Sequence, residues 1–230
     1  FVPAQADNNF VLAMADATAA ELVPQLVGML ETEAPKASLR VVPLATRDPR
    51  KLLDEETIDL AIGHFPAVLA DLGARAQVGK AVSFLHQRVY SSAYVCVMRA
   101  GHPLASGPLT LNRFCAARHL LVSFSGKPFG FIDESLQLRG RTRRIVLTVN
   151  QFFTAARVVA ECDLLTVLPR HFLALVDAPH ALVERPLPLD VPPVHVDAMW
   201  HLRQDTSNAQ RWLRDAVMRA VPSRLAALAP

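Results

Sequence analysis

Phe10–Ala15 (FVLAMA) is apolar at consecutive positions. That pattern predicts a strand buried on both faces of a parallel sheet, not an edge strand. Asp16-Ala17-Thr18 follows. Thr18 and Glu21 have capping-box spacing, and an apolar stripe at Leu22, Leu26, Met29 and Leu30 predicts a helix starting there. Pro24 is expected in its first turn, and Pro35 at its end. Leu39–Leu44 reads as a second strand, Pro49–Glu56 as a short helix, and Ile58–Gly63 as a third strand closing in a glycine turn. Strands and helices alternating this way imply right-handed crossovers and a parallel α/β sheet.

Ala67–Val82 shows no clear period and reads as a long loop. Phe84–Tyr90 and Tyr94–Met98 are two apolar segments with Ser91-Ser92 between them, which suggests a crossing between lobes. Leu111–Ala116 reads as a short helix and His119–Phe124 as a strand, followed by the loop Ser125–Pro128. A helix over Phe129–Leu138, a strand over Arg144–Val149, a helix over Phe152–Glu161 and a buried strand over Leu164–Leu168 repeat the βαβ logic. Leu182–Leu189 is weakly strand-like. Pro186, Pro188, Pro192 and Pro193 mark a connector before a last strand, Val194–Leu202. Asn208–Val221 is an amphipathic helix with Trp212, Leu213, Ala216 and Val217 inward. The expected class is α/β, with two Rossmann-like lobes, each on a mainly parallel sheet, joined by two crossover segments. Lobe I is expected over residues 1–92 plus 199–230 and lobe II over 93–198.

The 230 residues are 51% hydrophobic and 20% charged, enough for a substantial core and unlike a disordered chain. No run of about 18 apolar residues predicts a membrane-spanning helix. The opening Phe1-Val2-Pro3 lacks Met and any signal segment, so a fragment of a longer cytoplasmic protein is expected. Cys96, Cys115 and Cys162 are widely spaced among apolar residues and read as buried free thiols. The net charge of +3 is small. Arg139, Arg141, Arg143 and Arg144 cluster beside Gly140 without interleaved aromatics, the pattern of a solvated turn rather than a nucleic-acid surface. The eight His residues show no metal-pair spacing, and no nucleophile elbow, Walker loop or dinucleotide-binding glycine pattern occurs. Neither a catalytic constellation nor a cofactor or metal is expected.

Several stretches, in order, resemble the effector-binding domain of LysR-type transcriptional regulators. They are FVLAMAD, LVPQLVGMLETEAP, LRVVPL, LLDEETIDLAIG, YVCVMRAGHPLASGPLTL, HLLVSF, LQLRGRTRRIVLTV and AECDLLTVLPRHF, spread over Phe10–Val221. Glu56 departs from the family's usual glycine, and the segment Ala67–Val82 looks longer than usual. The resemblance implies a fold like type 2 periplasmic binding proteins and a small-molecule inducer held between the lobes. It also implies a homodimer or tetramer, and contact with DNA only through an N-terminal helix-turn-helix that this chain lacks. A transport solute-binding protein of the same architecture and an enzyme on this scaffold are the rival readings.

In two-lobed α/β binders the ligand sits at the carboxyl ends of the strands. The candidate ligand contacts are therefore Asp16 and Thr18 after the first strand, His64 and Phe65 after the third, and Ser123 and Phe124 after the second lobe's first strand. Gln151 and Phe152 at a helix start, and Ser92 and Trp200 at the crossings, complete the set. Thr18 as a helix N-cap, His64 as a solvated loop residue and Trp200 as a core residue are the structural alternatives. One of Phe152 and Phe153 is expected in the core and the other against a flat ligand. Helix starts near Thr18 and Gln151 favour a small carboxylate with an aromatic or apolar body.

Overall fold

A computed structural model of the protein describes residues 2–176 and 181–226. Its elements begin with β1 (Asn9–Met14), α1 (Asp16–Glu33), β2 (Ser38–Pro43), α2 (Arg50–Asp54), β3 (Leu60–Gly63), α3 (Pro66–Gln77) and β4 (Phe84–Ser92). Then come β5 (Tyr94–Arg99), α4 (Leu111–Ala116), β6 (Arg118–Val122), α5 (Phe131–Gln137), β7 (Arg144–Val149), α6 (Phe152–Val159), β8 (Thr166–Pro169) and β9 (Leu182–Arg185). The order closes with β10 (Val194–His201), α7 (Asn208–Arg219) and α8 (Ser223–Ala226).

The chain forms two compact units. One comprises residues up to Ser91 together with those from His195 onward; the other is Ser92–Val194. The return boundary lies a few residues before the expected 198/199, because Asp197 and Ala198 already pair with Gly63 and Ile62 of β3. Residues 1, 177–180 and 227–230 of the expected lobes lie outside the described residues.

In the first unit the sheet order is β2-β1-β3-β10-β4. β1 runs parallel to both β2 and β3, while β10 is antiparallel to β3. Alternation along the strands sorts the core into two layers. Leu12, Met14, Leu60 and Ile62 face α1 and α7, where Leu22, Leu26, Leu213 and Val217 meet them. Ala13, Ala61 and Met199 face the other side, against Leu53 of α2 and Val68 and Leu72 of α3. Burying each of the large aliphatics is worth about 1.5–3 kcal/mol.

Three local expectations are corrected. Residues 66–77 form a helix, not a loop: Pro66 opens it, and Val68 and Leu72, one turn apart, are its buried residues. The surrounding alanines give so narrow a stripe that no period shows. Pro24 lies inside α1, not in its first turn. It sits on the exposed face, where water can serve the carbonyl left without its helical donor. Thr18 and Glu21 do not cap α1, whose N-cap is Ala15. Thr18 hydrogen-bonds Tyr90 instead, and Glu21 pairs with Arg224 of α8.

The second unit is not mainly parallel. β5 is antiparallel to both β8 and β9, whereas β6 and β7 are parallel. A parallel bridge between His119 and Leu165 links β6 to the chain entering β8. Cys96, Met98, Phe114, Ile132, Leu136 and Leu165 form its core. The arginine cluster is not wholly solvated either. The Arg143 side chain is 1% exposed and holds Asp133 with two bonds, at 2.8 and 3.0 Å. Cys96 is buried, and Cys115 and Cys162 are partly so.

Candidate functional site

In the first unit the carboxyl ends of β1, β2 and β3 share one edge, with Met14 beside Pro43 and Ile62. β10 is antiparallel, so its start arrives at the same edge, Asp197 lying opposite Gly63. The residues leaving these strands are Asp16 and Thr18 after β1, Arg47 after β2 and His64 after β3. His195 and Asp197 join them from β10.

His64 is half-buried, and its Nδ1 lies 2.9 Å from the His195 carbonyl oxygen. A carbonyl only accepts, so Nδ1 carries the proton. Burial holds the His64 pKa below the ordinary histidine value. The charges of Arg47 and His195 push the same way, against the His195 carbonyl and Asp197. Ser91 Oγ lies 2.8 Å from His195 Nδ1. Arg88 Nε donates to Asp197 Oδ1 at 2.9 Å, with His86 Nδ1 at 3.9 Å. Thr18 Oγ1 lies 2.9 Å from the Tyr90 hydroxyl, both groups buried. Burial pushes that phenol up to about 12, so it stays protonated.

In the second unit β6 and β7 end together, Val122 beside Val149, and Ser123 N donates to the Val149 carbonyl at 2.8 Å. α6 starts after Gln151, whose exposed amide oxygen accepts from Thr154 Oγ1 at 3.0 Å. Phe152 is 6% exposed and meets Phe124 and Phe172, with ring centroids 5.7 and 5.9 Å away. Phe153 is 40% exposed and packs edge-on against Phe172 at 4.7 Å. Phe172 belongs to a short 3-10 helix, Arg170–Leu175. His171 of that helix puts Nδ1 2.8 Å from Ser92 Oγ.

The structure therefore gathers Asp16, Thr18 and His64 at one edge of the first unit. It gathers Ser123, Phe124, Gln151 and Phe152 in the second, with Ser92 tied to them through the 3-10 helix. Phe65 and Trp200 stand apart. Phe65 is 1% exposed in the α2–α3 layer. Trp200 follows Met199, which pairs with Ala61, so it lies toward the amino end of β3. It is buried there, donates to Asp205 at 3.1 Å and carries the Arg214 guanidinium on its ring. Arg47, His195, Asp197 and His171 were missed by sequence reasoning. The post-strand rule that selected Asp16 and His64, applied to β2, would have found Arg47.

The chemistry on offer is hydrogen bonding, positive charge and aromatic surface. Ser91 and His195 form a serine–histidine contact, but among the described residues no carboxylate hydrogen-bonds that imidazole. Nor does any group of three or more His, Cys, Asp or Glu residues there suit a metal ion. Among the described residues no helix is long and apolar enough to cross a membrane.

The sequence profile of the LysR substrate binding domain matches residues 4–222. The transcriptional activator NahR of Pseudomonas putida is 29% identical over 93% of the chain and 67% of its own length. The regulator SyrM of Rhizobium meliloti is 31% identical over 95% of the chain and 63% of its own. The chain thus spans about two thirds of these relatives. A crystal structure of a probable transcriptional regulator from Pseudomonas aeruginosa is 27% identical and superposes with a TM-score of 0.81, covering 94% of this chain and 68% of that one.

Proposed function

The chain belongs to the LysR substrate binding domain family, and from that premise we propose that it senses a small organic acid for a transcriptional regulator. The observation that carries this reading is the edge where Arg47, His64 and the start of α1 follow three adjacent strands. A cation, an imidazole and the positive end of a helix dipole suit a carboxylate. In the second unit, the start of α6 presents Gln151 and the exposed ring of Phe153, which suit a polar group and an aromatic or apolar body. The ligand acts by its differential affinity for two arrangements of the protein. DNA is bound through a part of the protein outside this chain. The working form is a dimer or tetramer in the cytoplasm, and no catalytic step is involved.

A thermal-shift screen of small carboxylates tests the reading. A ligand at 100 times its Kd adds about 2.7 kcal/mol to stability and raises the Tm. For the ligand so found, Thr18→Ala, Gln151→Ala and Phe153→Ala are expected to weaken binding by about 1–3 kcal/mol wherever the contact is desolvated, whereas Phe152, being in the core, reports on stability. Unchanged affinity in all three by calorimetry places the inducer elsewhere. Stabilisation by neutral sugars or amines alone refutes the acid.

A further inference from the structure

We propose that the His64 Nε2 lone pair reads a hydrogen-bond donor on the ligand, so that the protein selects molecules bearing a hydroxyl or amino group beside their acid group. The inference rests on the ligand-sensing reading above and adds a selectivity to it.

It follows from the tautomer. His64 Nδ1 sits 2.9 Å from a backbone carbonyl that has no proton to give, so the ring donates there. A neutral imidazole protonated on Nδ1 presents Nε2 as a pure acceptor. The ring is held neutral by its burial, and the positive charge of Arg47 at the same edge opposes a second cation. His195 opposes it too, and Asp197, engaged by Arg88, is the carboxylate on the other side of the balance. Among the described residues no side chain or backbone group hydrogen-bonds Nε2, and that nitrogen is not sealed from solvent. A neutral acceptor repels a carboxylate oxygen and welcomes an O–H or N–H. His64 therefore does not serve the ligand's charge itself but recognises the donor next to it.

The test pairs a spectroscopic readout with a binding one. Nitrogen-15 NMR of the imidazoles, with His64 assigned through His64→Asn, reports the tautomer without any ligand. Calorimetry then compares benzoate, the three monohydroxybenzoates and their methyl ethers on the wild-type chain and on His64→Asn. The asparagine amide nitrogen stands where Nδ1 stands, so it keeps the bond to the His195 carbonyl while deleting Nε2. One neutral hydrogen bond corresponds to roughly three- to ten-fold in affinity. The expected result is an Nδ1-protonated ring, with at least one hydroxybenzoate favoured over its ether by about that factor. The preference should fall to within about two-fold in His64→Asn. An Nε2-protonated or doubly protonated ring near neutral pH overturns the proposal. So does a preference that survives unchanged in His64→Asn, which leaves the acid-sensing reading standing. Failure of the wild-type chain to bind any of the probes removes the aromatic-acid reading and the selectivity with it.

Discussion

His119 makes the second unit acid-sensitive by a calculable amount. The ring is fully buried in β6, packed edge-on against Phe114 at 4.6 Å, and its Nε2 donates to the Phe114 carbonyl at 2.7 Å. Its Nδ1 is buried without a hydrogen-bond partner among the described residues. Burial, and then the positive charge of Arg143, push its pKa down to about 4, against the Phe114 carbonyl and Asp133. In the unfolded chain the same ring takes a proton near pH 6.5. Between those values the unfolded state binds more protons, so stability is complete above about pH 6.5 and drains away as pH falls toward 4. At about 1.4 kcal/mol per pH unit, the loss attributable to this one ring reaches about 3 kcal/mol. The check is urea unfolding of wild type and His119→Gln at half-unit steps from pH 7 to 4.5. Glutamine keeps an N–H for the Phe114 carbonyl and does not titrate. The variant is expected to start less stable, because its shape is wrong for the pocket, but to lose stability with acid more slowly. The difference in slope should approach one proton near pH 5. Parallel curves would refute the argument, since every other titrating group is common to both chains.

Three further outcomes are expected. Asp133→Ala strands the buried Arg143 guanidinium and frees the Gly130 N–H that Asp133 accepts at 2.8 Å, so chemical unfolding should show a loss of about 3–5 kcal/mol; a loss under about 1 kcal/mol would mean that the pair is solvated like a surface ion pair. Gly63→Ala places a Cβ 2.6 Å from Leu44 Cδ2 and 3.0 Å from the Phe65 ring, which should cost about 1–3 kcal/mol and displace His64; unchanged stability and unchanged binding would show that Leu44 yields freely. Val27 is 41% exposed on α1, so Val27→Glu should shift sedimentation toward monomer if that helix face meets a partner copy, and an unchanged distribution removes α1 from the interface.

The fold was legible where the hydrophobic pattern had only one solution. β1 and α6 could be drawn from sequence because a run apolar on both faces, or a broad stripe at helical spacing, has few other homes. α3 could not, because burying only Val68 and Leu72 needs too few apolar positions to show a period. The capping box was a true local pattern overruled by tertiary structure. Thr18 gains a buried hydroxyl partner in Tyr90, 72 residues away, and Glu21 gains Arg224, 203 residues away. The same competition hid Arg143. Four arginines beside a glycine look solvated, and only the position of Asp133 on α5 decides which one turns inward.

The candidate site was legible as positions and illegible as roles. The post-strand rule names residues without saying which way their atoms face, and for His64 that is the whole question. Whether it donates or accepts toward a ligand depends on a carbonyl 131 residues further along, delivered by an antiparallel strand that the sequence reading had in place but not in register. The phenylalanines divide in the same way. Both fit the start of α6 equally well as letters, yet one helical step turns Phe152 into the core and leaves Phe153 at the surface. Chemistry that rests on a tautomer or on a single helical step is fixed by long-range pairing, so it becomes readable only after the register of β3 and β10 and the packing of Phe172 are known.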